Sequence, residues 1–291
     1  MFRFSLRLCA GALAALAAAF PQFAHAHGIV GARFFPATIT SDDPFAADEL
    51  ALPTISLGNH AEDYEFEYTK SILPHFSVSF GGGYVNAHPP GEARAAGWEN
   101  LEITPTWQFV TDADSEFVAS AAFSVEIGGS GSAAVADRFT TFTPKLLFGK
   151  GFGDLPDSMA LFRPFALTAV VGYAIPGTST ASKSIEWSGA FEYSLLYLQS
   201  NVRDVGLSYV LARLTPVVEY SFTSPTDTGG TTGTINPGLI WSGQYVQFAA
   251  EAIIPVNRAS GDTLGVRMQL HFYLDDIFPQ SIGAPIFGSR P

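Results

Sequence analysis

The feature that most constrains the fold is a two-faced alternation that begins between Trp98 and Ile127 and recurs to the end of the chain. Four apolar residues of its first half occupy odd positions: Leu101, Ile103, Trp107 and Phe109. Five turn-forming residues, 111–115, separate this half from a second segment of the same kind. A period of two gives each strand one apolar and one polar face, so the region predicts an antiparallel hairpin. Each strand runs about eleven residues, close to the length with which a tilted strand crosses a bilayer.

Composition agrees with membrane-crossing strands. The 291 residues are 47% hydrophobic and only 14% charged, and no run of apolar residues beyond the N-terminal leader is long enough for a spanning helix. The 28 Gly and 25 Phe suit tight turns and aromatic girdles. The sequence therefore predicts an all-β protein, a transmembrane antiparallel up-and-down β-barrel of about 12 strands. The alternative is a soluble periplasmic β-protein, which would have to bury the Phe- and Trp-rich faces in a packed core.

Four regions are predicted. Residues 1–26 read as a signal peptide, with Arg3 and Arg7 before an apolar stretch and Ala24-His25-Ala26 as the cleavage site. Residues 27–50 form an N-terminal segment that lies in the periplasm or plugs the barrel mouth, a flexible leader being the alternative. Residues 51–274 form the barrel, and 275–291 form a C-terminal tail. The only cysteine, Cys9, leaves with the signal peptide.

The predicted strands are about 51–58, 62–70, 74–84, 98–110, 116–127, 138–149, 159–173, 184–197, 205–222, 235–243, 244–254 and 263–274. Short or moderate connections at one end alternate with usually longer, Gly/Ser/Pro-rich loops at the other, and the short end is expected to be periplasmic. Prolines occur inside or beside several strands, and we interpret them as β-bulges that help to close the barrel. These are Pro105, Pro144, Pro164, Pro216 and Pro237.

The last predicted strand, Leu264 to Leu274, alternates cleanly and resembles the signal that the barrel assembly machinery reads in outer-membrane barrels. Such signals end with an aromatic residue at the chain terminus, whereas this chain continues to Pro291. The resemblance implies two partners, the assembly machinery and the lipid bilayer. The formal net charge of −12 argues against nucleic acid as a partner.

If the apolar face meets lipid, the polar face lines the lumen. By parity, the predicted lumen residues are Glu65, Glu67, Glu102, Glu126, Glu186, Glu192, Glu219, Glu251, Arg267 and His271, together with Lys145 and Arg213. Acids outnumber bases in this set, which predicts a pore that favours cations. The alternative is that the acids and bases pair across a closed lumen, because a barrel of this size is either open or filled.

Catalysis and metal binding have little support in the sequence. His271 with Ser208 or Ser221 would suit an outer-membrane lipid-modifying enzyme, but the G-x-S-x-G pattern is absent, and a hydrogen-bonding role in the lumen is the simpler interpretation. His27 at the processed N-terminus would offer copper an amine and an imidazole, but no second histidine has a suitable spacing. No catalytic residue, metal site or cofactor is predicted.

The signal peptide, the Thr-Pro-x-aromatic strand pattern of Thr104–Trp107 and the glycine-ended hairpins together resemble proteobacterial outer-membrane transporter-like proteins of the phenol-degradation MetA type. Arg33–Thr38 and Asp275–Pro279 look like signatures of a subgroup. The resemblance implies passage of a small hydrophobic or aromatic solute and carries over no binding residues. The leading hypothesis is a passive channel in the outer membrane. The alternatives are a closed structural or adhesion barrel and an outer-membrane lipid-modifying enzyme.

Overall fold

The computed structural model describes residues 28–91 and 93–288. The predicted signal peptide and His27 lie outside the described residues. Two short strands, β1 (Ile29–Val30) and β2 (Arg33–Phe34), form a small hairpin. The wall strands follow along the chain as β3 (Glu49–Gly58), β4 (Ala61–Leu73), β5 (Phe76–Ala87), the short β6 (Ala95–Trp98), β7 (Glu102–Asp112), β8 (Phe117–Glu126), β9 (Thr141–Gly151), β10 (Phe165–Pro176), β11 (Ser184–Tyr193), β12 (Leu214–Pro225), β13 (Thr232–Ser242), β14 (Val246–Pro255) and β15 (Gly265–Tyr273).

Neighbouring strands pair antiparallel around a closed ring. The β4 strand pairs with both β3 and β5, and β15 pairs with β3, so the sheet has no open edge on that side. The short β6 and then β7 lie one after the other along β5. The result is a closed 12-stranded antiparallel barrel, which confirms the predicted fold class. Closure gives the backbone N–H and C=O groups of both edge strands hydrogen-bond partners, as a sheet in hydrocarbon requires.

The barrel has two unlike ends. The proximal end is where β3 begins and β15 ends, and the distal end is opposite. Proximal connections include the tight turns 74–75 and 243–245, whereas 194–213 is long and contains α1 (Leu195–Tyr197) and α2 (Tyr209–Ala212). A third helix, α3 (Leu274–Ile277), follows β15. Among the described residues, no helix is long and apolar enough to cross a membrane.

Two strand predictions are wrong at their starts. The interval 205–213 is not strand, because α2 occupies 209–212 and β12 begins only at Leu214. Likewise 157–162 is a 3₁₀ helix, and β10 begins at Phe165. Both intervals hold short apolar runs that do not alternate, and such runs do not distinguish a strand from a helical turn.

The interpretation of the prolines as bulges is also wrong. Pro105, Pro144, Pro216 and Pro237 each pair with one neighbouring strand, and the pairing with the other neighbour stops beside them without any shift of register. Pro164 precedes β10. The register shifts lie elsewhere, between the pairs Ala51/Thr54, Ser71/Leu73, Gln108/Val110 and Gln269/His271. Each proline lacks a backbone N–H and therefore costs at most one ladder hydrogen bond.

The outer face of the wall is apolar and aromatic. Trp187 stacks on Phe222 with ring centroids 4.3 Å apart, and Phe165 meets Tyr193 edge-on at 4.7 Å. Many large apolar side chains are exposed outward, among them Trp107, Phe109, Phe123, Leu146, Trp187, Phe191, Leu239 and Phe248. A surface of this kind is unfavourable in water and suits hydrocarbon. The buried apolar residues lie inside the barrel, where Phe35 packs with Val30 and Val118, and Ile39 packs against Ile240.

Candidate functional site: the lumen and the segment inside it

Residues 28–48, called here the inner segment, run within the barrel and contact its inner wall. The first anchor is Arg33, whose side chain is 1% exposed. Its Nε donates to Glu116 Oε2 at 3.2 Å, and its Nη1 donates to the Pro164 carbonyl at 2.9 Å. The guanidinium also lies 3.9 Å from the centre of the Tyr197 ring. These contacts fix the start of the inner segment to three proximal connections.

Tyr197 and Glu116 form a buried pair beneath this anchor. The Tyr197 hydroxyl donates to Glu116 Oε1 at 2.8 Å. Burial and the neighbouring Glu116 carboxylate raise the pKa of Tyr197 to about 12. The phenol therefore stays protonated at any physiological pH and keeps donating. The buried guanidinium is matched by a carboxylate that is itself hydrogen-bonded, as a buried charge requires.

The second anchor is Glu219 on β12, a fully buried carboxylate that faces the middle of the inner segment. It accepts the backbone N–H groups of Ile39 at 2.9 Å, Thr40 at 2.7 Å and Ser41 at 3.2 Å. Three successive amides thus converge on one side chain. This arrangement satisfies both the buried charge and three backbone donors that belong to neither a strand nor a helix.

Thr40 extends this anchor across β13, β14 and β15. Its hydroxyl contacts a Glu251 carboxylate oxygen and accepts from Asn236 Nδ2 at 2.7 Å and Arg267 Nη1 at 2.5 Å. Arg267 Nη1 also lies 3.6 Å from Glu251 Oε1. The three wall strands therefore meet at one hydroxyl of the inner segment.

The end of the inner segment is held at the proximal end of the wall. Asp48 receives Lys70 Nζ at 2.5 Å and the Ser71 backbone N–H at 2.9 Å. Further back, Gln247 Nε2 donates to the Ala37 carbonyl at 2.7 Å. The inner segment is therefore tied to the wall at its start, middle and end.

A cavity of about 420 Å³ remains between the inner segment and the wall. Its titratable lining is almost entirely acidic: Asp42, Asp43, Glu49, Glu65, Glu67, Glu99, Glu102, Glu126 and His271. Lys145 lies beside this acidic group, and its Nζ is held by Asp42 Oδ2 at 2.8 Å. An enclosed acidic space raises the local concentration of cations and lowers that of anions.

Glu99 lies in the short stretch between β6 and β7, at the distal side of this cavity. Burial and the neighbouring carboxylates of Glu65, Asp63 and Glu126 raise the pKa of Glu99 to about 7. Its charge therefore changes within the physiological pH range. The sequence pattern does not mark this residue as lumenal, because Glu99 occupies an odd position in the predicted strand 98–110, like the apolar residues of that strand, whereas β7 begins only at Glu102.

The structure places most of the sequence-predicted lumen residues in two groups. The first group lines the cavity: Glu65, Glu67, Glu102, Glu126 and His271. The second contacts the inner segment: Glu219, Glu251 and Arg267. Glu192 is buried in β11, and Glu186 is half-buried farther along the same strand. Asp42, Asp43, Glu49, Glu99 and Gln269 also line the cavity and were not among the predicted site residues.

The suggested pairing of His271 with a serine is wrong. His271 Nε2 lies 2.9 Å from Glu49 Oε2, and β13 and β14 separate its strand from β12, which holds Ser221. Ser208 lies in the proximal connection before α2. Within residues 28–91 and 93–288, no three His, Cys, Asp or Glu side chains form a group that would hold a metal ion.

No protein-family model and no curated protein sequence matches the chain. Solved structures do match in fold. The KdgM porin is 12% identical with a TM-score of 0.50, covering 77% of this chain and 98% of that one. The NanC porin is 9% identical with a TM-score of 0.51 over 77% of this chain and 98% of that one. An outer membrane channel from Pseudomonas putida F1 is 8% identical with a TM-score of 0.51, covering 82% and 99%.

The closed antiparallel ring, the aromatic outer face and these likenesses define the class: a porin-like β-barrel of the outer membrane. The predicted location is confirmed. At 8–12% identity the likeness concerns the fold alone and does not identify a solute.

Proposed function

We propose that the protein is a passive outer-membrane channel that favours small cationic solutes. The observation that carries this proposal is the lining of the lumenal cavity, in which carboxylates on β4, β7 and β8 face carboxylates of the inner segment. A fixed negative field in a narrow space attracts cations and repels anions, and it acts over roughly the Debye length of about 8–10 Å.

This lining argues for a solute different from that of one structural neighbour. One structure of the KdgM porin is described as a complex with disordered oligogalacturonate, which is a polyanion. Carboxylates such as Glu65, Glu67 and Glu102 would repel a chain of carboxylates. The same lining offers little to the hydrophobic or aromatic solute implied by the resemblance to MetA-type proteins, because carboxylates and hydroxyls dominate it.

Reversal potentials in planar bilayers test the proposal. We expect single channels in a KCl gradient to show a reversal potential with the sign of K⁺ preference. Glu126→Gln should reduce that preference, because it removes a lumenal charge. Asp114→Asn makes the same change in charge at an exposed proximal turn and should leave the preference intact. Preference for chloride would refute the proposal.

A closed barrel is the second candidate, because the inner segment is anchored along its whole length. A folded barrel migrates faster on a gel before boiling than after it. If the barrel is closed, protein that passes this test would give no conductance in the bilayer. The same experiment therefore separates the two functions.

A further inference from the structure

The acidic wall of the cavity is arranged in two rows that cross neighbouring strands. In the first row Glu67 of β4 pairs with Gly81 of β5, which pairs with Glu102 of β7, which pairs with Glu126 of β8. Neighbouring strands lie about 4.8 Å apart, so Glu102 and Glu126 are roughly one strand spacing apart and Glu67 and Glu102 roughly two. Carboxylates at these separations are close enough to share one small ligand.

The second row lies beside the first, on the distal side. It runs from Gln269 of β15 through Thr54 of β3 and Glu65 of β4 to Gly83 of β5. A Cβ on Gly83 would lie 2.3 Å from Glu99 Oε2, so the Glu99 carboxylate sits directly over this glycine. A Cβ on Gly81 would meet nothing nearer than 3.8 Å. Gly81 therefore leaves a gap without a side chain between Glu67 and Glu102, whereas the Glu99 carboxylate covers Gly83.

Gln269 is a second, independent indication that the cavity accommodates a hydrogen-bond donor. Its side chain is 9% exposed and lines the cavity. Its Nε2 donates to Thr54 Oγ1 at 3.0 Å, whereas no donor among the described residues reaches its Oε1. A buried acceptor without a donor is costly, and such a group needs a partner from somewhere.

The chemistry of the lining selects among cations. The carboxylates and the Gln269 carbonyl are all acceptors, yet no three of the described His, Cys, Asp or Glu side chains come close enough to hold a metal ion. An ammonium group donates three hydrogen bonds to separate acceptors and needs no tight coordination shell. Two ammonium groups joined by methylenes would reach carboxylates of different strands, and the methylenes would lie over Gly81.

We propose that this cavity is a binding site for linear organic cations that carry at least two ammonium groups. The inference rests on the proposed function, because it names the solute class of the same lumen. The fixed cations nearby do not fill the site: Lys145 is bound to Asp42, and Arg267 donates to Ser56 Oγ at 2.8 Å and to Thr40.

Calorimetric titration of the purified protein in detergent tests binding without any need for conduction. Putrescine, which has two ammonium groups, should bind at least tenfold more tightly than butylamine, which has one, and more tightly than Mg²⁺. Glu67→Gln and Glu102→Gln should each weaken putrescine binding about tenfold, since each removes a charge-assisted hydrogen bond. Asp114→Asn should leave the affinity unchanged, and each variant must retain the heat-modifiable band of the folded barrel.

Equal affinities for putrescine and Mg²⁺ would overturn the inference, because charge alone would then explain binding. So would unchanged affinity in both glutamine variants. Single-channel recordings distinguish a failure of this inference from a failure of the proposed function. Cation-preferring channels without putrescine binding would contradict only the present inference. Putrescine binding by a protein that conducts nothing would contradict only the proposed channel.

Discussion

Replacing Glu219 with alanine should release the middle of the inner segment from the wall. The carboxylate accepts three consecutive backbone N–H groups, from Ile39, Thr40 and Ser41, at 2.7–3.2 Å. The substitution leaves these donors without their acceptor inside the barrel. The start and end of the segment remain tied through Arg33 and Asp48, so the change should loosen the middle, which then keeps only side-chain contacts such as those of the Thr40 hydroxyl.

The structure sets the size of the effect. A hydrogen bond to a charged group contributes about 1.5–3 kcal/mol, so the three together contribute roughly 4–9 kcal/mol before any relief. Removing a buried carboxylate also removes its own desolvation cost, and water can enter to satisfy the freed amides. A net loss of about 3 kcal/mol is a fair expectation, which shifts the equilibrium between bound and detached states by roughly a hundredfold.

Single-channel conductance is the assay, supported by thiol labelling of an Ile39→Cys reporter, which keeps the backbone N–H that Glu219 accepts. Glu219→Ala should raise the conductance and speed the labelling. Glu186→Ala removes another lumenal carboxylate, for which no hydrogen bond to residues 28–48 is seen, and serves as the matched control. If Glu219→Ala folds but changes neither conductance nor labelling, the carboxylate does not hold the segment, and the reasoning is refuted.

Three further predictions concern the lumen. Cation preference should rise with pH between about 6 and 8, because Glu99, with its pKa raised to about 7 by burial and nearby carboxylates, is protonated below that range and charged above it. Glu99→Gln should reduce this step in reversal potentials, and an unchanged step would contradict the prediction. A hydrophilic thiol reagent should label Glu102→Cys faster than Glu251→Cys, since Glu251 is 2% exposed; equal rates would contradict this. Arg33→Ala leaves buried Glu116 without its cation and should lower the free energy of unfolding by about 3–5 kcal/mol. The temperature at which the fast gel band of the folded barrel changes to the slow band of the unfolded chain should therefore fall, whereas replacement of the exposed Arg203 by alanine should leave it unchanged.

The wall was predictable because its signal is local. Strand alternation depends only on which face of a residue meets lipid, so a hairpin such as 101–127 shows its two faces in the sequence alone. Parity likewise put Glu219 and Glu251 on the inner face. The failures came where the backbone leaves the wall: the run Tyr209–Ala212 is apolar without alternating, and it folds as a helical turn in a connection.

The sequence left the position of residues 27–50 open, for a physical reason. The contacts of the inner segment join residues far apart in the chain, such as Thr40 with Glu219 and Arg33 with Glu116, and no local pattern encodes such pairs. The same applies to Glu99, whose position over Gly83 follows from the β5–β6 pairing rather than from any periodicity.

The position of the inner segment decides which lumenal carboxylates remain available to a solute. The alternation within each strand places both Glu219 and Glu102 on the inner face. In the folded barrel, the middle of the segment lies against β12 to β15, where Glu219 and Glu251 bind its amides and hydroxyl. The wall of β4, β5, β7 and β8 keeps its acids facing the cavity. The inner segment therefore divides the lumen into a side whose carboxylates hold protein and a side whose carboxylates face the solute. The charge that a solute meets depends on this division rather than on the total number of inward acids, which is why detaching the segment should change both conductance and selectivity.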